Sequence, residues 1–159
     1  EWAKAAVEEL KTLPIFRGIQ EIIAHLIERK VKVYVVTASI KWAVEPGAAL
    51  FGIPHEQVLG VTTKVIDGVM TDTQDGVITW REGKVTGLLH ATASTHAFFA
   101  AGNTTGDLAL LESATHFRLA NCAAPTGHTN YTTEQKLLGL ARERGWFAFD
   151  YSAKALNKT

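Results

Sequence analysis

Val31-Lys32-Val33-Tyr34-Val35-Val36 is a β-branched run that ends directly in Thr37-Ala38-Ser39. A strand that is apolar on both faces belongs in the middle of a parallel sheet covered by helices. The sequence on either side agrees. Residues 17–29 place Ile19, Ile22, Ile23, Leu26 and Ile27 at helical spacing, and a second helix is expected from about residue 40 to 51, bent or interrupted by Pro46. Residues 58–66 read as a further strand. Asp67-Gly68 forms a turn pair, and residues 69–73 and 77–80 alternate like a small hairpin with Asp75-Gly76 between them.

The second half repeats this rhythm. Arg81-Glu82-Gly83 reads as a turn and residues 84–90 as a helix. Residues 97–101 form a buried strand running into Gly102-Asn103-Thr104-Thr105-Gly106-Asp107, and residues 108–114 a helix. A strand over 117–121, an amphipathic helix over 133–144 closed by Gly145, and a strand over 146–149 complete the series. Strands alternating with helices predict an α/β fold, a Rossmann-like parallel sheet with helices on both faces and a small β-hairpin. The boundaries expected are a leading helical segment over 1–13, whose helix closes before Pro14, a core domain over 14–151 and a frayed tail over 152–159. The chain opens inside a helical pattern without an initiator Met, which reads as the cut end of a longer protein.

Composition removes several classes of function. The chain has 159 residues, enough for one domain with a real core and little more. Sixteen basic residues balance sixteen acidic ones, so no net field draws it to nucleic acid or to an anionic membrane. No stretch approaches the roughly 20 apolar residues of a membrane span. Cys122 is the only cysteine, which rules out an intramolecular disulfide and cysteine-based zinc sites and fits a cytoplasmic location. His25, His55, His90, His96, His116 and His128 show no metal-ligand spacing.

Ligands of open α/β sheets collect at the carboxyl ends of strands. Two such ends are polar here. At Thr37-Ala38-Ser39 a hydroxyl and the backbone N–H groups that follow can hold a phosphate oxygen, although Thr37 or Ser39 would equally serve to cap the next helix. The Gly-bounded loop 102–107 sets the amide of Asn103 and the carboxylate of Asp107 four residues apart, both able to offer oxygen to a hard cation such as Mg²⁺. The same loop also suits an ordinary turn with Asp107 as helix cap. Lys84 taken alone reads as a surface residue.

Taken in order, a hydrophobic strand ending in Thr, a Lys opening a helix, and a strand ending in G-N-x-x-x-D resemble the second, third and fourth motifs of the haloacid dehalogenase superfamily. The hairpin region and Arg81-Glu82-Gly83-Lys84 resemble its phosphoserine-phosphatase-like branch, and the likeness covers about residues 14–121. It implies a magnesium-dependent phosphomonoester hydrolase that acts on a small phosphorylated metabolite through an aspartyl-phosphate. Thr37, Ala38, Ser39 and Lys84 would bind the phosphoryl group, with Thr37 and Lys84 in catalytic roles. Asn103 and Asp107 would hold Mg²⁺, and all these groups would meet around one phosphate.

The sequence departs from that pattern in two places. The branch more often has Asp where Asn103 stands. The first motif, D-x-D-x-T/V, whose first Asp is the nucleophile, has no counterpart: no D-x-D occurs in the chain, and Asp150 is followed at the second position by Ser152. The resemblance therefore implies that the first strand and the cap are missing, with residues 1–13 a remnant of the cap or a linker helix, that this chain alone is inactive, and that the absent N-terminal segment is a candidate partner. The alternative is a non-catalytic relative that binds a phosphorylated ligand or regulates. A nucleotide-binding Rossmann-like protein is disfavoured, because the 102–106 loop lacks both G-x-G-x-x-G and G-x-x-x-x-G-K-[ST].

Overall fold

In the computed structural model, residues 1–9 and 15–152 are described. The close of the leading helix before Pro14 and all but the first residue of the expected tail lie outside them. The chain divides into two compact units, residues 1–83 and 84–159. Each carries its own three-stranded sheet, β1-β2-β3 in the first and β4-β5-β6 in the second.

In the first unit, α1 (Trp2–Glu9) and α2 (Arg17–Glu28) precede β1 (Val35–Ile40), α3 (Lys41–Ala49), β2 (Val58–Ile66) and β3 (Val69–Asp75). β1 and β2 run parallel, starting from Val35 opposite Val58. Ala48, Ile53 and Val58 form the buried centre, with Ile23, Val33, Val35, Val44 and Phe51 packed against it. Pro46 sits inside α3, which runs on through it.

Two expectations for this unit change. The strand begins at Val35, four residues later than the apolar run, so Thr37-Ala38-Ser39 lies within β1 and not beyond its end. The hairpin pairs β2 with β3 about Asp67-Gly68, with Ile66 opposite Val69 and Val65 opposite Met70. Asp67 and Gly68 both have positive φ, 50° and 78°, which is what a two-residue turn matched to strand twist requires. Residues 77–80 form no strand. Thr79 is buried there, its hydroxyl donating to the Thr37 carbonyl at 2.6 Å.

The helix α4 (Glu82–Ala91) leads into the second unit, which continues with β4 (Phe99–Gly102), α5 (Leu108–Ser113), β5 (Phe117–Cys122), α6 (Tyr131–Glu143) and β6 (Phe147–Asp150). All three strands are parallel and in even register, Phe99 opposite Phe117 and Leu119 opposite Phe147. Leu111, Leu137, Leu138, Ala120, Ala141 and Cys122 are buried almost completely. The short strands can be parallel because each crossover is a helix that covers them. Parallel strands joined through helices confirm the α/β class, and the strands form two sheets where the sequence suggested one. No helix among the described residues is long and apolar enough to cross a membrane.

Candidate active site

The second unit brings three of the expected residues into one hydrogen-bonded cluster. At the end of β4 the backbone turns so tightly that a Cβ on Gly102 would fall 2.4 Å from the Asp107 Cβ. Only glycine allows that approach. Thr105–Asp107 then forms a single 3-10 turn, with the Thr104 hydroxyl accepting from the Gly106 N–H at 3.2 Å. The Asp107 carboxylate folds back over the loop. Its Oδ2 accepts from the backbone N–H of Asn103 at 3.0 Å and of Thr104 at 3.1 Å. Asp107 occupies the cap position of α5, yet its side chain makes no bond to that helix. Asp107 caps the 3-10 turn instead, as the N3 partner of Thr104 in a capping box.

The other oxygen, Oδ1, meets Lys84 Nζ at 2.5 Å. Lys84 is not the surface residue its local sequence suggests. It lies in the first turn of α4 and is 9% exposed, against 7% for Asp107. A buried ammonium requires a partner, since desolvating an unpaired charge is costly. The Gly83 before it is needed for a separate reason: a Cβ there would sit 1.9 Å from the Ile78 carbonyl oxygen.

Asn103 points its amide Nδ2 at Glu134 Oε1, 2.8 Å away. Glu134, near the start of α6, is buried, and its Oε2 accepts from the backbone N–H groups of Ala123 and Ala124, each at 2.8 Å. One carboxylate thus ties together the ends of β4 and β5 and the start of α6. Thr133 adds a second tie: its hydroxyl accepts from the Thr105 N–H at 3.1 Å and lies 2.6 Å from the Thr105 hydroxyl. Sequence reasoning missed both residues, because an acid and a Thr in the first turn of an amphipathic helix look like ordinary caps.

Cys122 lies beneath this cluster, its thiol donating to the Glu134 carbonyl at 3.1 Å. Burial above all, then the negative charges of Glu134 and Asp150, push the thiol up from 9.0 to about 12, with Arg142 acting weakly the other way. A thiol held protonated in this way is no nucleophile near neutral pH. Asp150 is tied to Ser152, accepting from its N–H at 2.9 Å and its hydroxyl at 2.5 Å.

In the first unit, Thr37-Ala38-Ser39 forms a bulge. Between the pairs Val36–Leu59 and Ile40–Val61, β1 has the three residues 37–39 against the single Gly60 on β2. The detour is possible because Gly60 has no side chain: a Cβ there would lie 2.8 Å from Lys41 Cα and 2.9 Å from the Ser39 carbonyl oxygen. Neither Thr37 nor Ser39 caps α3, whose cap residue is Ile40 with no side-chain bond. Thr37 Oγ1 accepts from the Ser39 N–H at 3.1 Å, an arrangement that keeps the hydroxyl proton available to donate. Ala38 and Ser39 are exposed. Bulges of this kind commonly re-aim polar groups beside active sites.

The donors fit a hard cation bound mainly by water and substrate. With Nδ2 committed to Glu134, Asn103 leaves its Oδ1 as the oxygen to offer, whereas Asp107 spends its carboxylate on Lys84 and on the loop. Among the described residues no three His, Cys, Asp or Glu side chains converge on a metal-sized point. Mg²⁺ does not require that. It keeps several waters and takes one or two protein oxygens plus phosphate.

A buried Lys–Asp pair and a half-buried Asn thus meet beyond the carboxyl end of β4, the kind of place where open α/β sheets bind ligands. The model of the haloacid dehalogenase-like hydrolases matches residues 1–112, and the chain belongs to that family. Among solved structures it is similar to a protein of unknown function from Bordetella pertussis Tohama I, with a TM-score of 0.75 and 20% identity over 94% of this chain and 65% of that one. It is also similar to a phosphoserine phosphohydrolase-like protein from Francisella tularensis subsp. tularensis SCHU S4, with a TM-score of 0.51 and 18% identity over 74% of this chain and 57% of that one. The chain thus spans less than two thirds of the length of either structure. A comparison with curated proteins gives no match.

Proposed function

We propose that this chain is the phosphate-handling core of a magnesium-dependent phosphomonoester hydrolase of the phosphoserine-phosphatase-like branch, acting on a small phosphorylated metabolite. The buried Lys84–Asp107 pair beside the Asn103 amide carries the reading. A cation held at 2.5 Å by a carboxylate that is itself fixed by two backbone N–H groups is preorganised, and it costs no rearrangement when charge builds on a phosphoryl group. The family match and the fold likeness to the Francisella protein support the same reading.

In this scheme Lys84 donates from its ammonium to phosphoryl oxygens and Asp107 positions it. Thr37 donates its hydroxyl proton to a phosphoryl oxygen, and the exposed backbone of Ala38 and Ser39 contributes further contacts. Asn103 supplies an oxygen toward Mg²⁺. The ion, when bound, neutralises charge on the transferred group. The attacking carboxylate belongs to a D-x-D motif, and residues 1–159 contain none. The scheme therefore expects no hydrolysis by residues 1–159 alone.

The replacement of a carboxylate by Asn103 favours a second reading, a relative that binds phosphorylated ligands without turning them over. One experiment separates the two. The gene product containing this chain is assayed with p-nitrophenyl phosphate and a panel of small phosphomonoesters, with Mg²⁺ and with chelator. The enzyme reading expects metal-dependent phosphate release that falls at least about a hundredfold in Lys84→Met, as for loss of a key electrostatic group. Binding of phosphomonoesters without release would establish the non-catalytic relative.

A further inference from the structure

We infer that Glu134 is a positioning residue that holds and polarises the Asn103 amide, so that the negative charge lost at position 103 is supplied from one hydrogen bond further back. The inference rests on the magnesium-binding part of the function proposed above.

The argument starts from donors and acceptors. A carboxylate accepts and an amide nitrogen donates, so the 2.8 Å contact between Asn103 Nδ2 and Glu134 Oε1 allows one orientation of the amide. The oxygen Oδ1 must then point away from Glu134. Glu134 itself cannot swing, because two backbone N–H groups at 2.8 Å hold its other oxygen and the residue is 4% exposed. A buried, charge-assisted hydrogen bond also draws the N–H proton toward the carboxylate and leaves more electron density on the amide oxygen. Carboxylates that hydrogen-bond a metal-ligating side chain from behind fix its orientation and raise its basicity in the same way. Asn103 backed by Glu134 is therefore a better donor to a hard cation than an amide facing water. Among the described residues, Oε1 of Glu134 serves Asn103, while the two strand-end contacts use Oε2 alone.

The test uses the ¹⁵N-labelled protein, with Asn103→Ala to assign the side-chain resonances. In the metal-free protein, one Nδ2 proton of Asn103 should lie downfield of the other side-chain amides, and this signature should vanish in Glu134→Gln. Titration with MgCl₂ should shift the Asn103 resonances, and Glu134→Gln should need about tenfold more Mg²⁺ or beyond, the usual effect of losing such a supporting group. The double variant Asn103→Asp/Glu134→Gln exchanges the two groups while keeping an N–H to carboxylate bond, and it should recover wild-type Mg²⁺ affinity or exceed it.

Loss of the downfield Asn103 signature together with a raised Mg²⁺ midpoint in Glu134→Gln is the outcome a merely structural role would not produce. An unchanged Asn103 signature and Mg²⁺ midpoint in Glu134→Gln would overturn the inference. So would a double variant as weak as the single one, or wild-type resonances that ignore Mg²⁺. Loss of phosphatase activity in the assay described above, with the Mg²⁺ response intact, would instead overturn the enzymatic reading and leave this one standing.

Discussion

The loop at residues 102–107 and the bulge at residues 37–39 solve the same problem in opposite ways. Each presents polar groups on a parallel strand, the loop just past the end of β4 and the bulge within β1. The loop does so with side chains locked to one another: Asp107 to Lys84 and two amides, Thr104 to Gly106, Thr105 to Thr133, Asn103 to Glu134. The bulge has one side-chain bond of its own, Thr37 to Ser39, takes a second from Thr79 to the Thr37 carbonyl, and otherwise owes its shape to backbone register and the bare Gly60. In the first, Asp107 is buried and its charge is paired with Lys84. In the second, Thr37 is half-buried and Ala38 and Ser39 are exposed. Substitutions should therefore act on stability in the loop and mainly on ligand affinity in the bulge.

The sharpest way to break that contrast is Lys84→Met. It leaves the buried Asp107 carboxylate without its cation, and unfolding in urea should show a loss of about 3–5 kcal/mol. A loss near zero would mean that the pair is not held as described. Next in size is Gly102→Ala, which drives a Cβ into Asp107 from 2.4 Å and should cost about 1–3 kcal/mol in the same measurement. On the bulge side, Thr37→Val removes one local hydrogen bond to a backbone N–H. It should cost no more than about 1 kcal/mol while weakening inorganic phosphate binding measured by calorimetry. If it destabilised as much as Gly102→Ala, the bulge would be as tightly built as the loop.

Cys122 gives a pH test confined to the loop side. Its folded value, about 12, lies above the ordinary 9.0. The unfolded chain therefore releases this proton first as the solution becomes alkaline. The thiol's contribution is whole below pH 9.0 and is lost progressively from there to about pH 12. Cys122→Ala should flatten that part of the stability profile measured by denaturant titration between pH 8 and 10.5, roughly the window in which linkage acts. An unchanged slope would show that the thiol titrates normally.

Much of this architecture was readable before any coordinates. Residues 58–66 gave the bounds of β2 directly, because a β-branched run closed by Asp-Gly admits few alternatives. The helix starting near Lys84, the loop at 102–107 and the order of strands followed from local periodicity and glycine placement. The hairpin was misassigned because two Asp/Asn-type turns, Asp67-Gly68 and Asp75-Gly76, compete at similar spacing. The choice between them was made by the long partner strand β2.

By itself the sequence determined the succession of strands and helices, the lack of a D-x-D motif, and which residues carry oxygen or ammonium groups at strand ends. These are local properties, set by side-chain periodicity over a few neighbours. Only the tertiary structure decided that Lys84 is buried, that Asp107 serves Lys84 and its own loop before any helix, and that Glu134, 31 residues from Asn103, stands behind it. Such pairings depend on where the chain returns after a crossover. Burial then raises their energy far above anything the same residues would show in water.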